Sequence, residues 1–482
     1  MTAAPSIVTP AWRATPAAAA REQRLRLFIA SGGDDRLWLD PVTRRNRYGA
    51  PAAPAPDELW FSSSTASAVS HRGWAAAGEA LGRLAELGSL DVGAWFASLR
   101  GRLIALYGAP GGQAVLAASG TEAEFVALEL ALALAAAGPV ANIVVAPAET
   151  GSGVLAAASG RHFLGRASLG AAVARDERLC GWEAARLTLE TIEIRDADGA
   201  LRAQADVDQE AAGRVERAVD AGAFALLHVL DCSKTGRPGV SRAAAAQILA
   251  RHPGRVLVAV DACQLRCSAE QVRADLAAGF VVMLTGSKFA GGPAFCGAVL
   301  LPEGLVAGLA RLRPAASPLA PYSAALDWPR PLRRFTCGLT HPANLGLGLR
   351  WSAALAEIEA YEQIPSERRA ALLAEFDRAV RSRVAPDPGL ALLDSPSPAA
   401  APGLIPIVHA DGSDPRPLYD ALAAGGPARR PCHLGQPVAI GARTALRVCA
   451  SMPMIADADQ RGFGAVEADL DEAFASWSAL RP

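Results

Sequence analysis

Short apolar, β-branched runs alternate with Ala/Leu/Glu/Arg runs of helical period through the middle of this 482-residue chain. Strands separated by helices form βαβ units and a largely parallel sheet covered on both faces, so the pattern sets the class as α/β. Strands are expected at Asn142–Ala146, Thr188–Ile194, Ala223–Leu230, Arg255–Val260, Val281–Leu284 and Cys296–Leu301. Helices are expected at Ala75–Leu87, Val92–Tyr107, Thr121–Ala137, Gln209–Ala221, Arg242–Arg251 and Ala269–Ala277. Together they define a large domain at 75–330. A Pro-rich stretch at 313–331 reads as a linker. Beyond it, 331–482 is expected to be a smaller α+β domain. Its helices fall at Ala343–Gln363, at Ser366–Arg383 and near Asp459–Leu480, and its strands at Leu404–Val408, Pro437–Ile440 and Ala445–Cys449. Residues 26–74 are assigned to that small domain, and the Ala/Pro-rich residues 1–25 to a disordered tail.

Lys+Arg number 47 against 48 Asp+Glu, which gives no electrostatic argument for a nucleic-acid or anionic-membrane partner. The 8 cysteines include no CxxC and no regular spacing, so neither a disulfide framework nor a metal site is expected. The most apolar helical stretch carries Glu122, Glu124 and Glu129 and is no membrane span. The N-terminus lacks the apolar core of a signal peptide. A soluble, reducing, cytoplasmic setting is the expectation. One compositional fact is sharper: lysine occurs only at Lys234 and Lys288, and the rest of the 47 basic residues are arginine. A lysine that survives such a bias is a candidate for amine chemistry that guanidinium cannot supply.

Ligands of open parallel sheets sit at the carboxyl ends of the strands. Four segments there carry candidate chemistry. In RVLVAVDACQ, Asp261 ends a buried-strand pattern and Gln264 follows; the alternative for Asp261 is a helix N-cap. In FVVMLTGSKFAGGP, Lys288 comes just past another strand, with hydroxyls at Thr285 and Ser287; partial desolvation there would free an amine for Schiff-base formation. Ser119-Gly120-Thr121 opens a helix whose free N–H groups suit an anion, although Thr121 and Glu124 also fit an ordinary capping box. In HVLDCSKTGRPG, Lys234 reads as a solvated turn residue. A carboxylate for a pyridine nitrogen, an amine for an imine and a helix start for a phosphate are together the requirements of pyridoxal 5′-phosphate (PLP).

On D-x-x-Q at Asp261–Gln264, T-G-S-K-x-x-G-G-P at Thr285–Pro293, S-G-T-E at Ser119–Glu122 and R-F-x-x-G-L-T at Arg334–Thr340, the sequence resembles the fold-type I PLP enzymes, nearest the class V aminotransferase and cysteine desulfurase group. The resemblance implies a three-layer PLP-transferase fold with a seven-stranded, largely parallel sheet and a smaller α+β domain. It implies that Lys288 holds the cofactor as a Schiff base and then moves protons, with Asp261 on the pyridine nitrogen and Gln264 on the ring hydroxyl. Ser119, Gly120, Thr121, Thr285 and Ser287 would hold the phosphate, with Thr340 reaching that of a neighbouring subunit in a homodimer with shared active sites. Arg447, in ALRVCAS, would take the substrate carboxylate.

The sequence departs from that pattern where the family places a ring over the cofactor. Glu149 and Thr150 stand there, with Thr150 left to make a lighter contact. Ser287 replaces a frequent histidine, and no flexible loop carries a nucleophilic cysteine, which disfavours persulfide-type desulfurase chemistry. Cys337, Cys432 and Cys449 lie near or beyond the proposed phosphate segment. His228 reads as a satisfied core residue; His341 and His433 read as loop residues. Ser62–Thr65 with Arg44, Arg45, Asn46 and Tyr48 are placed at the site entrance. The leading expectation is an aminotransferase acting on an amino acid or small amine. The alternative is a β-eliminating C–S lyase, and the reading from another class is a catalytically silent PLP-binding homologue.

Overall fold

The computed structural model describes residues 16–86, 92–183, 186–313, 315–394, 401–426 and 428–481. The first strand, β1 (Leu59–Phe61), enters a small sheet, and the next seven form the large one. These are β2 (Gln113–Ala117), β3 (Val140–Val145), β4 (Leu187–Ile192), β5 (Phe224–Leu230), β6 (Val256–Ala262), β7 (Val281–Thr285) and β8 (Gly297–Leu301), in the order β2-β8-β7-β6-β5-β3-β4. Pairing is parallel from β4 through β7, and β8 runs antiparallel to both β7 and β2. All six expected strands are present. β2 was not expected, because its short QAVLA run follows a Gly-Gly pair and lacks β-branched density.

The strands are buried on both faces, so alternate residues enter different cores. Val258 and Val260 join one cluster, Leu257 and Ala259 the other. After α1 (Pro16–Ile29) and α2 (His71–Glu86) come α3 (Val92–Tyr107), α4 (Gly120–Leu134) and α5 (Val154–Ala158). Next are α6 (Gln204–Asp220), α7 (Arg242–Arg251), α8 (Ala269–Ala277) and α9 (Glu303–Ala310). α3 and α6–α8 put Leu103, Val215, Ile248 and Leu276 in the first core; α4 and α9 put Phe125, Leu128 and Leu309 in the second. This is the expected layering of helix, sheet and helix.

The chain then runs through α10 (Leu345–Glu362), α11 (Ser366–Val384), β9 (Leu390–Leu392), β10 (Leu404–His409), α12 (Arg416–Ala424), β11 (Cys432–Ile440) and β12 (Arg443–Cys449). It ends on α13 (Met452–Arg461) and α14 (Gly464–Leu480). The small sheet has the order β1-β11-β12-β10-β9, with β1 parallel to β11. The single closing helix expected near Asp459–Leu480 is two helices, since Gly462 at φ +86° turns the chain between α13 and α14.

Two further expectations fail. The Ala/Pro stretch expected to be a tail through residue 25 is helical from Pro16 onward, and Leu25 and Ile29 of α1 are buried against α2 and α10. Residues 1–15 and Leu87, the expected end of α2, lie outside the described residues. The Pro-rich stretch at 313–331 is not a free linker: Leu319, Tyr322 and Trp328 are buried in the second core, and Tyr322 packs 4.8 Å from Phe125 between ring centroids. Aromatic burial outweighs proline count here.

Helix α10 positions the loop that carries Lys288. Buried Arg350 donates to the carbonyls of Phe295 (2.6 Å), Ile29 (2.9 Å) and Gly32 (2.8 Å), and Trp351 Nε1 donates to Gly297 O at 3.0 Å. Gly286 lies directly on this helix. A Cβ added there would stand 2.6 Å from Ala354 Cβ and 3.0 Å from both Cys296 Sγ and Trp351 Cζ3. Gly286→Ala is therefore expected to cost about 1–3 kcal/mol through overpacking, read as a lower denaturant midpoint; an unchanged midpoint would show that the loop is not held against α10. A second expectation concerns Asp327, buried at the turn after Ser323. Burial pushes its carboxyl up to about 7 despite the Ala324 N–H at 2.7 Å. The unfolded chain loses this proton near the ordinary 3.8 and the folded chain only near about 7, so stability falls as pH rises across that interval. Asp327→Asn is expected to flatten that fall, measured as unfolding midpoints from pH 4 to pH 8.

Candidate active site

Parallel register places Asp261 opposite Met283 and Ala262 opposite Leu284, so β6 and β7 leave the sheet side by side. Asp261 ends the first and Lys288 follows the second. Both line one cavity of about 330 Å³, together with Gly120, Thr121, Thr150 and Gln264. That volume lies in the usual small-molecule range of about 300–1,000 Å³. Ser119, Thr285 and Ser287 also border it. The sequence-derived set thus converges, with two exceptions described below.

Asp261 Oδ1 accepts from the Cys263 N–H at 3.0 Å, a turn contact that fixes the carboxylate at the strand end. It caps no helix; α8 is capped by Ser268. Gln264 is buried, with Nε2 donating to Ser64 O at 3.1 Å and Oε1 left without a partner. An unsatisfied buried amide oxygen beside a cavity marks a place where a ligand donor would be favourable. Gly120 leaves room at the start of α4, since a Cβ there would come within 2.8 Å of Cys263 Sγ.

Ser119 is the N-cap of α4: its Oγ accepts from the N–H of Thr121 (3.2 Å) and Glu122 (3.4 Å) and donates to the Glu122 carboxylate. The capping pair is therefore Ser119/Glu122, two residues before the expected Thr121/Glu124. Glu124 instead accepts from Asn142 Nδ2 at 2.9 Å and lies 3.3 Å from His228. His228 is buried and bonded to Asn142, a satisfied core histidine as expected. The Thr285 hydroxyl donates to Cys263 O at 2.7 Å, so its proton is committed. The Thr121 and Ser287 hydroxyls make no such internal bond among the described residues and both border the cavity. Burial and Asp34 push the buried Glu122 carboxyl up, against the opposing charge of Arg36. Arg36 also borders the cavity, but Asp34 grips it at 2.9 and 2.6 Å.

No aromatic ring occupies the Glu149–Thr150 position. Glu149 borders the cavity, but its carboxylate is committed, taking hydrogen bonds from Arg195 Nε (2.5 Å), Ser233 Oγ (2.7 Å) and the Thr235 hydroxyl. Arg195 in turn grips Asp394 at 2.7 and 2.8 Å. This network bolts the turn after β5 to the turn after β9. Thr150 stands on the cavity wall with Gly151, Ser152 and Val154, its hydroxyl donated to Pro147 O at 3.0 Å.

Arg447 is one exception. It is fully buried and does not line the cavity; Nη2 donates to Gln436 O and to Thr65 Oγ1 (3.2 Å), and Nη1 lies 3.5 Å from Lys234 O. It braces the wall from behind, because Thr65 and Gln436 are wall residues. Thr340 is the other: it is exposed, bonded to His341 Nδ1 at 3.1 Å, and away from this chain's cavity. His433 is also placed elsewhere, stacked on Trp60 and bonded to Glu58 at 2.7 Å. Of the expected entrance residues, Tyr48, Ser64 and Thr65 reach the wall, while Arg45 pairs with Glu58.

Sequence reasoning undervalued Lys234, which is half-buried on the same cavity as Lys288. Burial, then the charges of Arg447 and Lys288, lower its amine to about 7. The scarcity of lysine was the signal that pointed to it. Cys232 and Cys263 also border the cavity, and burial pushes both thiols up, which keeps them protonated. Among the described residues no cluster of metal-ligating side chains occurs, and no helix is long and apolar enough to cross a membrane.

No protein-family model matches the sequence, and no curated protein matches it. Solved structures do. The cystine C–S lyase C-DES in complex with its reaction product cysteine persulfide aligns over 86% of this chain and 97% of its own, at 15% identity and a TM-score of 0.56. A lysine-to-alanine variant of C-DES with glycine covalently linked to its PLP cofactor aligns over 86% and 96%, at 16% identity and a TM-score of 0.57. The cysteine desulfurase CsdA from Escherichia coli aligns over 88% and 94%, at 14% identity and a TM-score of 0.55. The fold expected from the motifs is the fold observed: this chain is built as the fold-type I PLP-dependent enzymes are.

Proposed function

We propose that the protein is a PLP-dependent enzyme that cleaves a small amino acid by β-elimination, a reaction of the C–S lyase type. The observation that carries the reading is the shared cavity, in which a strand-end carboxylate, an amine and an unpartnered buried amide oxygen meet. The residues fit the cofactor. Lys288 would hold its aldehyde carbon, Asp261 its ring nitrogen and Gln264 Oε1 its ring hydroxyl. The phosphate would fall to the Gly120 N–H at the opening of α4, with the Thr121 and Ser287 hydroxyls. Ser119 supports that helix start as its cap, and Thr285 holds the Cys263 turn. Thr340, exposed and off the cavity, is left to reach the phosphate of a second copy in a homodimer.

When bound, PLP supplies an electron sink for the pair released at the substrate Cα. Asp261 keeps a proton on the ring nitrogen, since a carboxylate at hydrogen-bond distance favours the charged ring. Lys288 Nζ takes the Cα proton. Thr150 and Val154 form part of the cavity wall. Transamination, the leading expectation from sequence, shares these steps. The likeness to C-DES and CsdA supports elimination instead, although it is a likeness of fold. Because Cys232 and Cys263 are held as thiols, the reading has sulfur leave with the product fragment rather than pass to an enzyme cysteine.

Purified protein given PLP is expected to develop a visible absorption band. Borohydride reduction and peptide mass spectrometry should then place the adduct on Lys288. An adduct on Lys234 removes the assignment to Lys288, and no adduct at all leaves a silent homologue or a cofactor-free scaffold. Incubation with cystine, cysteine and related β-substituted amino acids should release pyruvate and ammonia. Conversion of the cofactor to its pyridoxamine form would instead restore the aminotransferase reading. Lys288→Ala is expected to lower turnover by at least about 10²-fold, the usual scale of a lost proton-transfer group.

A further inference from the structure

The only two lysines of the 482-residue chain line the same cavity. Arginine serves as the cation at every other basic position, and it binds carboxylates better than lysine does, through a planar bidentate fork. A second lysine at the site is therefore not explained by charge. What lysine adds is a proton that it can give up near neutrality when partly desolvated.

The setting of Lys234 fits such a role. Its backbone is fixed at both ends: the N–H donates to Glu149 O at 2.8 Å, and the carbonyl lies 3.5 Å from Arg447 Nη1. The turn itself is closed by Ser233 N–H to Arg237 O at 2.8 Å and Gly236 N–H to Ser233 O at 3.0 Å. The charged groups acting on the amine come from three neighbouring elements: Arg447 on β12, Lys288 after β7 and Glu149 after β3. Glu149, the one acid among them, already takes bonds from Arg195, Ser233 and Thr235, and no described carboxylate forms an ion pair with Lys234. The backbone is held, the residue is half-buried on the cavity, and no described carboxylate pairs with its amine.

We propose that Lys234 is the general acid of the reaction, protonating the leaving group while Lys288 serves the Cα. The inference rests on the elimination reading. Lys288 Nζ takes the Cα proton; the pair of that C–H bond becomes the Cα–Cβ double bond. The bond from Cβ to the leaving group X breaks, and X departs with its pair and the Lys234 proton as HX. Lys234, now a neutral amine, regains a proton from water. No oxidant or reductant is required.

The lowered amine of Lys234 agrees with this assignment, as its ammonium and amine forms are both populated near pH 7. Two measurements test it. Reductive methylation of the full-length apoprotein with ¹³C-formaldehyde should give two lysine resonances, of which Lys234→Arg removes one. The removed resonance should titrate near about 7; a midpoint above about 9.5, close to that of a free lysine, overturns the proposal.

The second measurement compares leaving groups in Lys234→Arg, which keeps the charge and loses the transferable proton. Pyruvate release is expected to fall about 10²-fold with S-alkyl cysteines, whose thiolates need a proton, and under about 3-fold with β-chloroalanine, whose chloride needs none. Equal loss on both substrates, or loss on neither, overturns it. The borohydride adduct on Lys288 should form equally in the parent and in this variant. A parent that forms the adduct but releases no pyruvate from any substrate overturns the elimination reading, and the acid role with it, while leaving the cofactor site standing.

Discussion

Parallel pairing of β6 with β7 is the constraint on which the site depends. Registering Asp261 against Met283 brings a carboxylate and the Lys288 turn to the same edge of the sheet, from segments that are well separated in sequence. Neither group would be useful alone. The remaining helices and strands fix that register by burying both sheet faces, and α10 holds the Lys288 turn so closely that Gly286 admits no side chain. Close packing converts a flexible Gly-Ser-Lys turn into a positioned amine.

The second structural device is electrostatic. Buried charges are costly unless paired and hydrogen-bonded, and this chain commits several of those around the cavity to other groups of its own. Arg195 bridges Glu149 and Asp394, Asp34 grips Arg36, and Arg447 is spent on Gln436 and Thr65. These contacts stiffen the wall and join the large sheet's loops to those of the small sheet. They also withdraw those charges from a ligand, so the uncommitted groups bordering the cavity are few: two amines, one strand-end carboxylate, an amide oxygen and the Thr121 and Ser287 hydroxyls.

The sequence made the alternation of strands and helices legible because both faces of each central strand are apolar, which yields continuous runs. Lys288, Asp261 and Gln264 were legible because local motifs end those runs. What was not legible depended on distant contacts. β2 is a strand because β8 lies beside it, and the proline-rich turn near Trp328 is ordered by Phe125 and its neighbours. Arg447 matched a local pattern, yet Thr65 and Gln436, brought in by β1 and β11, decide where its guanidinium goes. Ser119 looked like a phosphate ligand in sequence; its hydroxyl is taken by Glu122, three residues along the same helix turn.

Lys234 shows the opposite failure, in which the composition carried a signal that the local motif obscured. A lysine in a polar Gly-containing turn is ordinarily solvated, and by that argument it is unremarkable. But a turn is solvated only if nothing packs on it, and this one is covered by Arg447 and tied to Glu149. Once enclosed, an ammonium without a counterion becomes less favourable as neighbouring positive charges accumulate, and here two such charges face it. Arginine in the same place would stay charged and would have to be paired, as Arg195 and Arg36 are. An amine can relieve the repulsion by releasing its proton, which a guanidinium does not do, so this enclosure makes lysine a proton donor.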